Sequence, residues 1–124
     1  MLYAFLAYHA ENVIDGLTPE QDAALMDRLH EVHDRLLAEG HLGPAARLAP
    51  TRAAKTVRPR SPVIDGPFAE TKEQLLGLYV MDFPSLDEAV AAARALNAVN
   101  PSAAYEIRPI ELCLPGKPLD GLSR

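Results

Sequence analysis

Long apolar runs, paired cysteines and any excess of positive charge are missing from this sequence. No apolar run approaches the roughly 20 residues needed to cross a bilayer, so no membrane partner is expected. The opening MLYAFLAYHAEN has no basic flank and soon turns polar, which reads as a first strand and not as a secretion signal. Cys113 is the only cysteine. An internal disulfide is therefore excluded, a cysteine-based metal site is disfavoured, and a cytoplasmic location is expected. The formal charge of −5 argues against general nucleic-acid binding, which is driven by clustered Lys and Arg. Acidic residues are absent between Glu39 and Asp65, where Arg47, Arg52, Lys55, Arg58 and Arg60 crowd together. That stretch reads first as a solvated hairpin whose charges protect a sheet edge, and second as a contact for a small anion.

What is present is ordinary globular material: 124 residues, 48% hydrophobic and 23% charged. This suits one domain, placed at residues 1–113, with a loosely packed C-terminal arm at 114–124. Leu2 to Tyr8 is a β-favouring run with apolar residues on both alternating faces. A loop through Asn12, Asp15 and Gly16 follows. Thr18-Pro19-Glu20-Gln21 combines an N-cap, a first-turn proline and a capping box, so it opens a helix. Leu25, Leu29, Val32 and Leu36 give that helix its buried stripe, with Met26 and Leu37 widening it and Gly40 ending it. Between residues 42 and 64 the signals are broken. Ala46–Ala49 and Lys55–Arg58 read as two strands around Pro50-Thr51, Pro59 and Pro62 limit further pairing, and Asp65-Gly66 is a turn. Leu75–Phe83 is a second strand apolar on both faces, with Gly77 allowing close approach to the backbone. Ser85-Leu86-Asp87-Glu88 caps a helix to about Leu96, whose predicted stripe is Leu86, Val90, Ala93 and Leu96. Tyr105–Leu112 is the last strand, with Pro109 near an edge or end.

The order β, α, hairpin, β, α, β predicts an α+β fold. More narrowly, it predicts a ferredoxin-like βαββαβ-type domain with an antiparallel sheet and an extra hairpin. Both helices then cover one face of the sheet. The two strands that are apolar on both sides would leave a wet apolar patch on the other face, so a homodimer through that face is expected.

Asp65-Gly66-Pro67-Phe68-Ala69-Glu70-Thr71-Lys72-Glu73, continuing through Gln74-Leu75-Leu76-Gly77-Leu78-Tyr79, resembles the signature of the DGPF family within the wider YCII-related superfamily. Leu2–Tyr8, Thr18-Pro19-Glu20, Leu86-Asp87-Glu88-Ala89 and Glu106-Ile107-Arg108-Pro109-Ile110 extend the resemblance over most of the chain. It implies a dimeric α+β barrel and a pocket holding a His–Asp pair. Some YCII-like proteins are dehydrochlorinases of aromatic breakdown products. DGPF proteins are often encoded near extracytoplasmic-function sigma factors, which implies a regulatory link.

The candidate site residues follow. Asp65, Gly66, Pro67 and Phe68 read either as a plain turn anchored by Phe68, or as a pocket mouth where Asp65 is the carboxylate partner of a histidine. In the second reading Lys72 or Arg108 holds an anionic group, and Glu70 and Phe68 belong to the same ligand site. His30 and His33 lie three apart on the first long helix, His33 within the apolar stripe and His30 at its border. The resemblance places a catalytic histidine on this helix, and the local pattern leaves open which of the two it is. His9 ends the first strand, where superfamily members often carry an acid, here displaced to Glu11. A zinc site from His30, His33 and either His9 or Asp34 is a weaker alternative, and Cys113 as a nucleophile weaker still. The function expected is cofactor-free lyase or isomerase chemistry on a small anionic organic molecule, with a histidine shuttling the proton. The alternative is a non-catalytic module that binds a metabolite or serves a sigma-factor system.

Overall fold

A computed structural model describes residues 1–122. Among the described residues nine α-helices and strands follow one another: β1 (Leu2–His9), α1 (Glu11–Asp15), α2 (Pro19–Ala38), β2 (Leu42–Arg47), β3 (Lys55–Thr56), β4 (Ile64–Asp65), β5 (Gln74–Asp82), α3 (Leu86–Val99) and β6 (Ala104–Pro109). The fold is mixed α+β. Strands run β2-β5-β1-β6 in one sheet, with every neighbouring pair antiparallel, and β3-β4 form a separate pair.

Alternation along β1 decides which face is the core. Tyr3, Phe5, Ala7 and His9 are buried, while Leu2, Ala4, Leu6 and Tyr8 between them are only partly so. Across the ladder Tyr3 meets Met81, Phe5 meets Tyr79 and Ala7 meets Gly77, and these residues share the helix-covered side. Leu29, Val32 and Leu36 of α2 and Ala89, Ala92, Ala93 and Leu96 of α3 pack onto that side. Phe5, Met81 and Leu96 are the largest side chains shut off from solvent. Burying each contributes about 1.5–3 kcal/mol.

The capping box before α2 forms as its sequence demands: Thr18 accepts from the Gln21 backbone N–H, and the Gln21 side chain accepts from the Thr18 N–H. Past the helix end, Gly40 takes φ 82°, a conformation that costs a residue with a Cβ far more. Ser85 likewise caps α3. The buried stripe of α3 differs from the expected one. Ala89 and Ala92 join Ala93 and Leu96 inside, whereas Leu86 is 50% exposed and Val90 only partly buried. The helix turns its smallest residues to the sheet, which permits closer approach than Leu86 and Val90 would.

Three local expectations also change. The segment after β1 is a short helix, α1, and not a loop. No hairpin forms around Pro50-Thr51. Instead β2 begins at Leu42 and pairs with β5, Thr51–Ala53 make a single 3-10 turn, and Lys55–Thr56 pair with Ile64–Asp65. Backbone pairing with the long β5 satisfies more N–H and C=O groups than the interrupted 46–58 stretch offers itself. The last strand stops at Pro109, short of the expected Leu112, with one further backbone bond from the Ile110 N–H to the Leu2 carbonyl at 2.9 Å. Of the arm expected at 114–124, residues 114–122 are exposed and carry no helix or strand, and residues 123–124 lie outside the described part.

Candidate active site

The helix-covered face does not fill evenly. Tyr3, Phe5, Tyr79 and Met81 occupy one end of it, but the next cross-strand pair is Ala7 with Gly77. Neither of these has bulk to reach α2. Register also shifts between Ala7 and Tyr8, where β5 carries an extra residue. A Cβ at Gly77 would meet the Ala46 carbonyl oxygen at 3.2 Å and the Ala7 Cβ at 3.7 Å, so the backbones are close there and the space above them stays open. A cavity of about 530 Å³ results, between the sheet, α1 and the stretch of α2 from Pro19 to His33.

Leu25, Met26 and Leu29 give this cavity an apolar wall, and His9, His33, Tyr79, Tyr105 and Asn100 supply its polar groups. His33 Nε2 and the Tyr79 hydroxyl lie 2.8 Å apart. His9 is 6% exposed, with Nδ1 at 3.3 Å from Ser102 Oγ and Nε2 at 3.5 Å from Asn100 Nδ2. Asn100, 4% exposed, also donates to the Tyr105 hydroxyl at 3.2 Å. An amide nitrogen only donates, so His9 Nε2 is an acceptor, and its proton sits on Nδ1, directed at Ser102.

Burial pushes both cavity histidines below their ordinary value, chiefly by desolvating the charged form. Glu73 partly offsets this for His9, as does Asp34 for His33. Among the described residues no carboxylate hydrogen-bonds to either ring; each is held by a hydroxyl or an amide. Burial also pushes the Tyr79 and Tyr105 hydroxyls up, so both keep their protons at neutral pH. The cavity thus presents two neutral imidazoles and two neutral phenols.

Charge is confined to the rim, and it is already paired. Arg47 donates to both Asp22 oxygens, at 3.0 and 3.3 Å, and Arg52 reaches Asp15 at 3.4 Å. Glu11 accepts from the Thr51 N–H at 2.5 Å and from its hydroxyl at 2.6 Å, bonds that hold its carboxyl below the usual range. They also tie α1 to the 3-10 turn across the cavity's edge.

His9 and His33 therefore come together at one cavity. His30 is exposed on α2, its ring centroid 5.9 Å from that of His33, and does not line the cavity. Asp65 faces Lys55 across the β3-β4 pair, with no histidine beside it. Phe68 is 71% exposed under the Arg58 guanidinium, and Glu70 and Lys72 are exposed on the same loop. Arg108 pairs with Glu106 on β6. None of these five lines the cavity. Among the described residues no group of three or more His, Cys, Asp or Glu is arranged to hold a metal ion, and Cys113 is exposed. Tyr105 and Asn100 carry no motif in the sequence, and Tyr79 reads there as a strand residue ending the run that resembles the family signature. Only the folded chain shows that they share a space.

Residues 1–113 match the family model described as the YCII-related domain. The chain is also 50% identical over 121 residues to an uncharacterized protein of Rhizobium meliloti (strain 1021), an alignment taking in 94% of this chain and 98% of that one.

The neutral histidines predict a pH effect. In the unfolded chain they take up a proton near pH 6.5, and in the folded chain only at lower pH. Protonation thus favours unfolding. Their contribution is complete above 6.5 and is lost as pH falls below it towards the folded values. Thermal melting at about pH 5.5 should give a lower midpoint than at about pH 7.5, and His9→Gln should narrow the gap. An equal or higher midpoint at the acid pH contradicts two neutral imidazoles.

Proposed function

The chain belongs to the YCII-related family, and on that premise we propose that it is a proton-transfer enzyme, working without a cofactor on a small organic molecule held in the cavity. One observation carries this reading: His9 and His33 line the same partly apolar cavity on separate elements, where burial disfavours the charged form of each. An imidazole held neutral at working pH is suited to accept a proton and return it. His9 serves as the base. Its Nδ1–H is anchored on Ser102, and its Nε2 lone pair has only a long contact from Asn100, so it is available to a carbon-bound proton. Tyr79 with His33 serves as the acid. The hydroxyl supports the atom where negative charge gathers, and the His33 Nε2–H supports the hydroxyl. Return of the proton to a different carbon is an isomerisation, and departure of a leaving group with its electron pair is an elimination. The reading replaces the expected His–Asp pair with a His–Tyr pair, since Asp65 is engaged with Lys55.

The DGPF assignment within the family and the ferredoxin-like reading of the β2-β5-β1-β6 order travel with this proposal, as does a two-fold dimer. Leu2, Ala4 and Leu6, beside Leu78 and Val80, form a partly exposed apolar surface on the sheet face away from the helices. Glu106 and Arg108 border it opposite Leu6 and Ala4 and pair with each other.

Exchange of carbon-bound protons tests the enzyme reading. A panel of small ketones and hydroxylated aromatic acids in heavy water should show at least one compound exchanging faster than in buffer, with the rate lowered about a hundred-fold in His9→Gln and less in His33→Gln. Rates unchanged in both variants remove the proposed base and acid, and binding without exchange favours a non-catalytic module. For the dimer, sedimentation at micromolar concentration should return the mass of two chains; a stable single chain rules it out.

A further inference from the structure

The cavity's hydrogen-bond inventory says what kind of molecule fits it. Tyr105 accepts from Asn100 Nδ2, a group that only donates, and its own hydroxyl proton meets no acceptor among the described residues. Tyr79 stands in the same relation to His33 when Nε2 carries the proton. The two rings are neighbours, with centroids 6.5 Å apart. Tyr105, and Tyr79 in that His33 tautomer, thus line the cavity with donor capacity unspent.

The charges point the same way. Three carboxylates, Glu11, Asp15 and Asp22, line the cavity against one cation, Arg47. Arg47 already donates to both oxygens of Asp22. A ligand carboxylate would have to displace Asp22 and then sit among the remaining acids. Lys72 and Arg108, the cations expected to hold an anion, lie outside the cavity. The wall formed by Leu25, Met26 and Leu29 supplies apolar contact but no compensation for a desolvated charge.

We propose that the cavity binds an uncharged, carbonyl-bearing molecule with an apolar body, its oxygen accepting from the hydroxyls of Tyr79 and Tyr105. This rests on the reading that the cavity is the working site, and it narrows the ligand from a small anion to a neutral ketone-type compound. Burial favours it, because phenols kept protonated by desolvation remain donors across the neutral range. It also gives Asn100 a positioning role: one amide fixes the His9 tautomer and directs the Tyr105 proton outward.

A matched pair of probes tests this on the unaltered protein. 3-Hydroxyacetophenone and 3-hydroxybenzoate have the same number of non-hydrogen atoms, but only the second is charged at neutral pH. Calorimetry should show the ketone binding at least about ten-fold tighter than the carboxylate. Tyr105→Phe, checked by melting to be folded, should weaken the ketone about five-fold and leave the carboxylate unaltered. Equal or tighter binding of the carboxylate overturns the proposal, as does binding of neither probe or a ketone affinity indifferent to Tyr105. Tyr105-dependent ketone binding with no proton exchange would sink only the catalytic reading, whereas exchange indifferent to Tyr105 would sink only this one.

Discussion

One cross-strand pair, Ala7 opposite Gly77, makes the cavity possible. Every larger pair on that face fills the gap between sheet and helices: Tyr3 with Met81, Phe5 with Tyr79. Interiors are packed densely, so a position with almost no side chain leaves either a collapse or a hole. Collapse is blocked here. α2 is held by Leu29, Val32 and Leu36 on the aromatic part of the core, and the β2 backbone already stands against Gly77. The hole that remains takes in the end of β1, which brings His9 inside, and the middle of α2, which brings in His33.

From that constraint the electrostatics follow. An imidazole withdrawn from water without a carboxylate beside it is neutral, and a phenol so withdrawn keeps its proton. Charged groups stay at the rim, where Arg47, Arg52 and Thr51 occupy Asp22, Asp15 and Glu11. An interior of neutral donors and acceptors inside a ring of matched charges suits proton transfer more than capture of an ion. The acids are not idle, since the Glu11–Thr51 bonds fasten α1 and the 3-10 turn beside the cavity.

Much of the fold could be read from residues alone, because its signals are local. The Thr18 to Gln21 capping box, the alternation from Leu2 to Tyr8 and Gly40 beyond α2 depend on neighbours in sequence. The 42–64 stretch was less legible, because its partners are distant: β2 finds β5, and Lys55–Thr56 find Ile64–Asp65. The site was legible only in its histidines. The conspicuous run from Asp65 to Glu73 drew attention as a pocket mouth, yet Asp65, Phe68, Glu70 and Lys72 line no part of the cavity. Tyr79, Tyr105 and Asn100 sit on β5, on β6 and at the end of α3, and no spacing in one segment joins three such elements. Gly77 was the available clue: a glycine inside a strand marks a close approach or a gap, and its partner Ala7 makes it a gap.

The central claim is that the cavity holds two uncharged imidazoles in fixed protonation states. Long-range proton–nitrogen NMR of labelled imidazole nitrogens reads those states directly, ring by ring. At pH 7 the account predicts neutral His9 and His33, with the His9 proton on Nδ1. A protonated His9 or His33 at that pH, or a His9 proton on Nε2, would contradict it.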